Sequence, residues 1–134
     1  MFRLIKIEYG RENVPEPLVM PALAGAVYRK GAALSVDAAT GALVPATGEA
    51  PCRYLCLADK EAEAGDTLTC CRVYPQMLFE VPLETVSDAV RPGAILGISA
   101  DGCALLGTVS THGALVEDAR GASAAGDLVQ VRFV

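Results

Sequence analysis

The most reactive side chains in this sequence belong to Cys52, Cys56, Cys70, Cys71, Cys103 and the single histidine, His112. Cysteines hold zinc when short paired knuckles bring four ligands together. Here Cys52-x3-Cys56 is followed by the adjacent pair Cys70-Cys71, which lacks that spacing. Neighbours on a strand point to opposite faces, so Cys70 and Cys71 do not share one metal. An odd number of cysteines in a chain without a secretion signal reads as free thiols in a reducing compartment.

His112, in STHGAL, could serve Cys103 or Ser110 as the base of a nucleophile pair. A lone histidine beside glycine in a polar turn reads instead as a solvated loop residue. The carboxylates fall mainly in connections: Asp59, Glu61, Glu63 and Asp66, then Glu80, Glu84 and Asp88, then Glu117, Asp118 and Asp127. Paired acids can do proton transfer or bind calcium. DKEAEAGD lacks the regular oxygen spacing of a calcium loop, and solvated loop charge accounts for it. Neither Gly-x-Ser-x-Gly nor a phosphate-cradling glycine loop with lysine is present. The expectation is a protein without catalytic, cofactor-binding or metal residues, and not an enzyme.

Composition narrows the class further. A chain of 134 residues with 52% hydrophobic and 20% charged residues forms one domain and is too apolar for disorder. A net charge of −5 without any Lys/Arg run argues against nucleic acid as partner. The opening MFRLIKIEYG interrupts its apolar residues with Arg3, Lys6 and Glu8, so it lacks a signal-peptide core, and no segment reaches membrane-span length. A soluble protein made in the cytoplasm is expected, with no membrane partner.

The elements that would position these residues are short strands. Ile5, Ile7 and Tyr9 alternate with Lys6 and Glu8, a first strand. Pro15, Pro17 and Pro21 then make residues 10–25 an extended arm or loop outside the core, because proline lacks the ladder donor. From residue 26 strands alternate with glycine turns. CRYLCLAD is apolar on both faces and central; Phe79, Val81 and Leu83 share one face; Val129, Val131 and Phe133 end the chain as a half-buried strand. Pro75 marks a bend or break. Val86, Ala89 and Val90 are spaced for one or two helical turns over 84–91.

The chain also repeats itself. Gly31, Ala32, Leu34 and Val36 correspond to Gly93, Ala94, Leu96 and Ile98, and after one lost residue Thr40-Gly41 corresponds to Asp101-Gly102. Ala64-Gly65-Asp66 matches Ala125-Gly126-Asp127 in the same register, with Leu68 and Cys70 matching Val129 and Val131. The units run over 31–73 and 93–134, each of about three strands. The fold class that follows is all-β: a small β-barrel or two-layer sandwich of two similar units, with residues 1–25 as first strand and Pro-rich arm and 26–134 as a single domain.

Over residues 26–134 the chain resembles the capsid decoration, or cement, proteins of tailed bacteriophages and prophages. The residues that carry the resemblance are Ala64-Gly65-Asp66 before a strand, the apolar-Pro step Val81-Pro82, the Pro92-Gly93 turn, the strand closed by Asp101-Gly102, and the terminal Ala125-Gly126-Asp127 with VQVRFV. The cysteines and the long N-terminal segment depart from the family pattern. The resemblance implies a small barrel or sandwich, often trimeric, that binds the major capsid protein on the outer surface of the virion and stabilises it without catalysis. Two alternatives stay open: another phage structural part, such as a head fibre or tail component, or a bacterial ligand-binding or enzymatic β-barrel domain.

For a binding protein the arm is the candidate contact element. Val14, Leu18, Val19, Met20 and Leu23 are apolar without an evident intramolecular stripe to join, as interface residues are. The same arm could instead fold over its own barrel as a plug.

Overall fold

The computed structural model describes residues 1–8 and 15–134, and among these every regular element is a strand. In chain order they are β1 (Arg3–Ile7), β2 (Leu18–Pro21), β3 (Val27–Tyr28), β4 (Ala33–Val36), β5 (Leu43–Pro45), β6 (Tyr54–Cys56) and β7 (Lys60–Glu61). There follow β8 (Thr67–Arg72), β9 (Met77–Pro82), β10 (Ile95–Ile98), β11 (Leu105–Val109), β12 (Ala114–Asp118) and β13 (Leu128–Phe133). The fold is all-β, with two main antiparallel sheets ordered β2-β8-β6-β4-β5 and β1-β9-β13-β12-β10-β11. β3 and β7 form a separate small pair.

Without β1 the two orders are the same topology written twice. The pairs Leu34–Tyr54 and Ala33–Leu55 recur as Leu96–Ala114 and Ile95–Leu115. Tyr54–Arg72, Leu55–Cys71 and Cys56–Cys70 recur as Ala114–Phe133, Leu115–Arg132 and Val116–Val131. The match reaches further back than the sequence repeat, because Met20–Leu68 and Pro21–Thr67 recur as Val81–Val129 and Pro82–Leu128. Each unit therefore has five main strands and begins at β2 or β9.

Equivalent turns agree as well. Gly31 and Gly93, Gly41 and Gly102, and Gly65 and Gly126 all have φ between 72° and 91°, where a side chain would be strained. In both Ala-Gly-Asp turns the aspartate accepts a backbone N–H three residues back, Glu63 in one and Ala124 in the other. The repeated letters are turn chemistry.

Each sheet curls until its first and last strands meet. Ala22, just past β2, bridges Leu43 of β5, and Leu83, just past β9, bridges Leu105 of β11. In unit two Glu84 N–H donates directly to the Leu105 carbonyl at 2.8 Å. In unit one the buried Tyr28 hydroxyl is inserted at that closure: it accepts from Leu23 N–H at 2.8 Å and donates to the Leu43 carbonyl at 2.5 Å. Tyr28, Leu34, Leu43, Cys56, Leu68 and Cys70 fill unit one. Val81, Leu83, Leu96, Leu105, Val116, Val129 and Val131 fill unit two. Ala33, Leu55, Cys71 and Val73, from the other face of the first sheet, join that second core and weld the units together. Burying each such side chain contributes roughly 1.5–3 kcal/mol for the larger ones.

Three sequence expectations are corrected. Residues 84–91 form turns and no helix. Thr85 Oγ1 accepts from Gly107 N–H and the Ser87 hydroxyl donates to the Gly107 carbonyl, so the segment is tied to β11. Its own bonds, from Ala89 N–H to Ser87 Oγ and from Val90 N–H to the Ser87 carbonyl, make a turn. In β1 Ile7 packs partly buried against the core as the alternation expects, but Leu4 joins it there while Ile5 is exposed, because a register shift lies between Leu4 and Lys6; Tyr9 lies outside the described residues. Residues 10–25 are not simply an arm, since Leu18–Pro21 is an integral strand of unit one.

The prolines explain how that strand is possible. Ala22 N–H donates to the Asp66 carbonyl, so in the β2–β8 ladder the residues at 18, 20 and 22 bond inward and those at 19 and 21 point to the open edge. Pro21 loses no ladder bond there, and Pro15 and Pro17 share its parity. On the equivalent edge of β9, Leu78 and Glu80 pair with β1. Prolines thus blunt one edge, and the N-terminal strand covers the other.

Candidate functional surface

The potential chemical groups are dispersed or committed to structure. Ser110 donates its hydroxyl to the Gly48 carbonyl at 2.7 Å, and His112 N–H donates to the same carbonyl at 3.1 Å. These bonds dock the 46–51 loop of unit one on unit two. Cys103 is packed against the unit-one core instead. The His112, Ser110 and Cys103 positions serve the joint between the units.

Several carboxylates brace turns. Asp37 holds the Thr40 hydroxyl and Ala39 N–H, Asp101 holds Ser99 and Cys103 N–H, and Asp127 holds Ser123 and Ala124 N–H. These bonds hold all three carboxyls below the usual aspartate range. On the outer face of the second sheet, Arg132 reaches both Glu8 and Glu117, while Glu80 lies between Arg3 and Arg120. Glu8 is lowered by its bond to Lys6 first and by Arg132 as well.

The thiols divide between the cores: Cys56 and Cys70 belong to unit one, Cys52 and Cys71 to the shared core. The opposed faces of Cys70 and Cys71 are as the strand period requires. Among the described residues no cluster of three or more His, Cys, Asp or Glu side chains could hold a metal. Burial pushes the Cys52 thiol up to about 12 and Cys70 to about 11, and raises Cys56, Cys71 and Cys103. Protonated, enclosed thiols react slowly. A thiol reagent near neutral pH is expected to modify the half-buried Cys103 first and the other four only after unfolding. Because the folded-state values are raised, the unfolded chain ionises first as pH rises. The stabilisation is complete below the ordinary thiol value of 9.0 and is lost progressively between about 9 and about 12 as the folded groups are reached. Denaturant midpoints measured across that range, beside thiolate absorbance, check the direction; thiols that all react at once in the native protein would contradict it.

The candidate contact residues do not act alike. Val14 lies outside the described residues. Leu18 and Val19 are exposed, at 38% and 68%, whereas Met20 and Leu23 are half-buried and Met20 packs against the unit-one core. Val19, on the outward side of a proline-blunted edge, is the projecting member.

A second surface feature escaped the sequence reading. At one end of the first sheet Val36, Arg53, Tyr54, Arg72, Val73, Tyr74 and Pro75 line an open groove of about 430 Å³. The register places Tyr54 opposite Arg72, whose guanidinium lies 5.8 Å from the centre of the tyrosine ring. Backbone bonds fix Arg53, from its N–H to the Leu34 carbonyl and from Val73 N–H to its own carbonyl. Among the described residues, no carboxylate lines the groove.

No protein-family model matches the chain, and no curated protein matches it.

Proposed function

We propose that this protein is a capsid decoration protein of a tailed phage or prophage, binding the major capsid protein on the outer surface as a homo-oligomer, a trimer in the resembling family, and acting without catalysis. The observation that carries the reading is the structural role of the residues behind the resemblance. Ala64-Gly65-Asp66 and Ala125-Gly126-Asp127 are the matched aspartate-braced turns, and Val81-Pro82 ends the strand that opens unit two. Gly93 and Gly102 hold the positive-φ turns before and after β10. A closed double unit whose turns are braced by Asp37, Asp66, Asp101 and Asp127 suits a part that adds stability through contact area.

Sedimentation with expanded capsids assembled from a tailed-phage major capsid protein of the same genome tests the proposal. Saturable co-sedimentation is expected, with Val19→Glu, whose side chain projects from the fold, weakening it. Protein that remains in the supernatant with expanded capsids at saturating input would overturn the proposal.

A further inference from the structure

We infer that the groove of unit one is a docking site for an acidic peptide segment of a protein partner, with Arg53 and Arg72 as its carboxylate-binding groups. This goes beyond the capsid reading, because the groove belongs to unit one whatever surface the protein decorates.

The internal duplication supplies the comparison. At positions that in unit two are Gly113, Ala114 and Phe133, unit one carries Arg53, Tyr54 and Arg72, and the pairing register of these positions is the same. Unit two closes this end with apolar groups: Phe133 is buried, its ring tilted against Phe2 at 4.9 Å and edge-on to Phe79 at 5.2 Å. Unit one has replaced the closure with two cations and a ring. Neither the fold nor the closure of the sheet requires those cations, as unit two shows.

Charge defines the occupant. The protein carries a net charge of −5, yet among the described residues this groove has two exposed guanidinium groups and no acid. Among the described residues neither Arg53 nor Arg72 has a carboxylate within ion-pair distance; Arg3, Arg120 and Arg132 have one, while Arg29 and Arg91, away from the groove lining, do not. Arg72 meets only the Tyr54 hydroxyl, at 3.5 Å, the outer limit for a hydrogen bond. Guanidinium forks match carboxylates in paired, charge-assisted bonds. Val36, Val73 and Pro75 beside them offer an apolar wall for a neighbouring side chain, so an acid–apolar–acid segment fits. A side-chain carboxylate and a chain-terminal one share this chemistry.

The probe is the blocked peptide acetyl-Asp-Leu-Glu-amide, titrated into the isotope-labelled full-length protein and followed by amide chemical shifts. Shifts are expected at Arg53, Tyr54, Arg72 and Val73, with binding that weakens as salt is raised. The Arg53→Gln/Arg72→Gln double variant, which alters exposed side chains, is expected to fold normally and bind at least about tenfold more weakly. Acetyl-Asn-Leu-Gln-amide is expected to lose affinity similarly. Acetyl-leucine with a free carboxylate separates the sources: tighter binding than the acidic peptide assigns the groove to a chain terminus, weaker binding to side-chain acids. Equal binding of the acidic and uncharged peptides, shifts confined to other surfaces, or undiminished binding by the folded double variant would overturn the inference.

Discussion

Removal of residues 1–24 is expected to leave a protein that no longer folds. The deletion takes β1 from the edge of β9, β2 from the edge of β8, and the Ala22–Leu43 contact that closes unit one. It also takes Phe2, 1% exposed, from its ring contacts with Phe79 and Phe133, a loss that for a buried aromatic costs about 3–5 kcal/mol alone. Stability for a domain of this size is about 5–15 kcal/mol, so these losses together exceed what remains. Circular dichroism and amide dispersion of the purified deletion check this. A cooperative, well-dispersed native spectrum from residues 25–134 would show the N-terminal segment to be separable from the fold. The described residues of this segment, in β1 and β2, form an edge strand of each main sheet.

Gly41→Ala and Gly102→Ala are expected to have unequal effects although the two glycines are equivalent in the repeat. Both have positive φ, 72° and 76°, so each substitution costs about 1–2 kcal/mol of backbone strain. A Cβ on Gly41 would meet nothing within 4 Å, whereas on Gly102 it would lie 2.7 Å from the Ala33 carbonyl oxygen. The Gly102 carbonyl also accepts Ala33 N–H at 2.8 Å, a bond between the units. Relieving the clash opens that joint, so Gly102→Ala is expected to cost about 3 kcal/mol or more. Chemical denaturation of the pair gives the difference. Equal midpoints would mean that the unit-two turn is not docked on unit one.

Local chemistry in the sequence predicted the strands and turns where one face is buried and the turn needs glycine. Val129, Val131 and Phe133 alternate cleanly because β13 is central, and the paired Ala-Gly-Asp turns announce the repeat. β2 was hidden because proline reads as a ladder breaker, and only the topology shows that its missing donor faces an open edge. The 84–91 segment carries a helical spacing, but side-chain bonds from Thr85 and Ser87 to β11 outweigh it. The groove was invisible because Arg53 and Arg72 are distant in sequence and are brought together by the β6–β8 register. Aligning the two units at Gly113-Ala114 and Phe133 was the signal that could have found it.

Backbone amide hydrogen exchange tests most directly the central claim, that one closed unit occurs twice and that, among the described residues, only the second has its edge covered. Met20 and Val81, which bond inward at equivalent positions, are expected to be similarly protected. Val19 and Glu80 are equivalent too, but Val19 faces the open edge and Glu80 faces β1, so Val19 is expected to exchange quickly and Glu80 slowly. Protection of Val19 equal to that of Glu80, or an unprotected Met20 beside a protected Val81, would contradict the account.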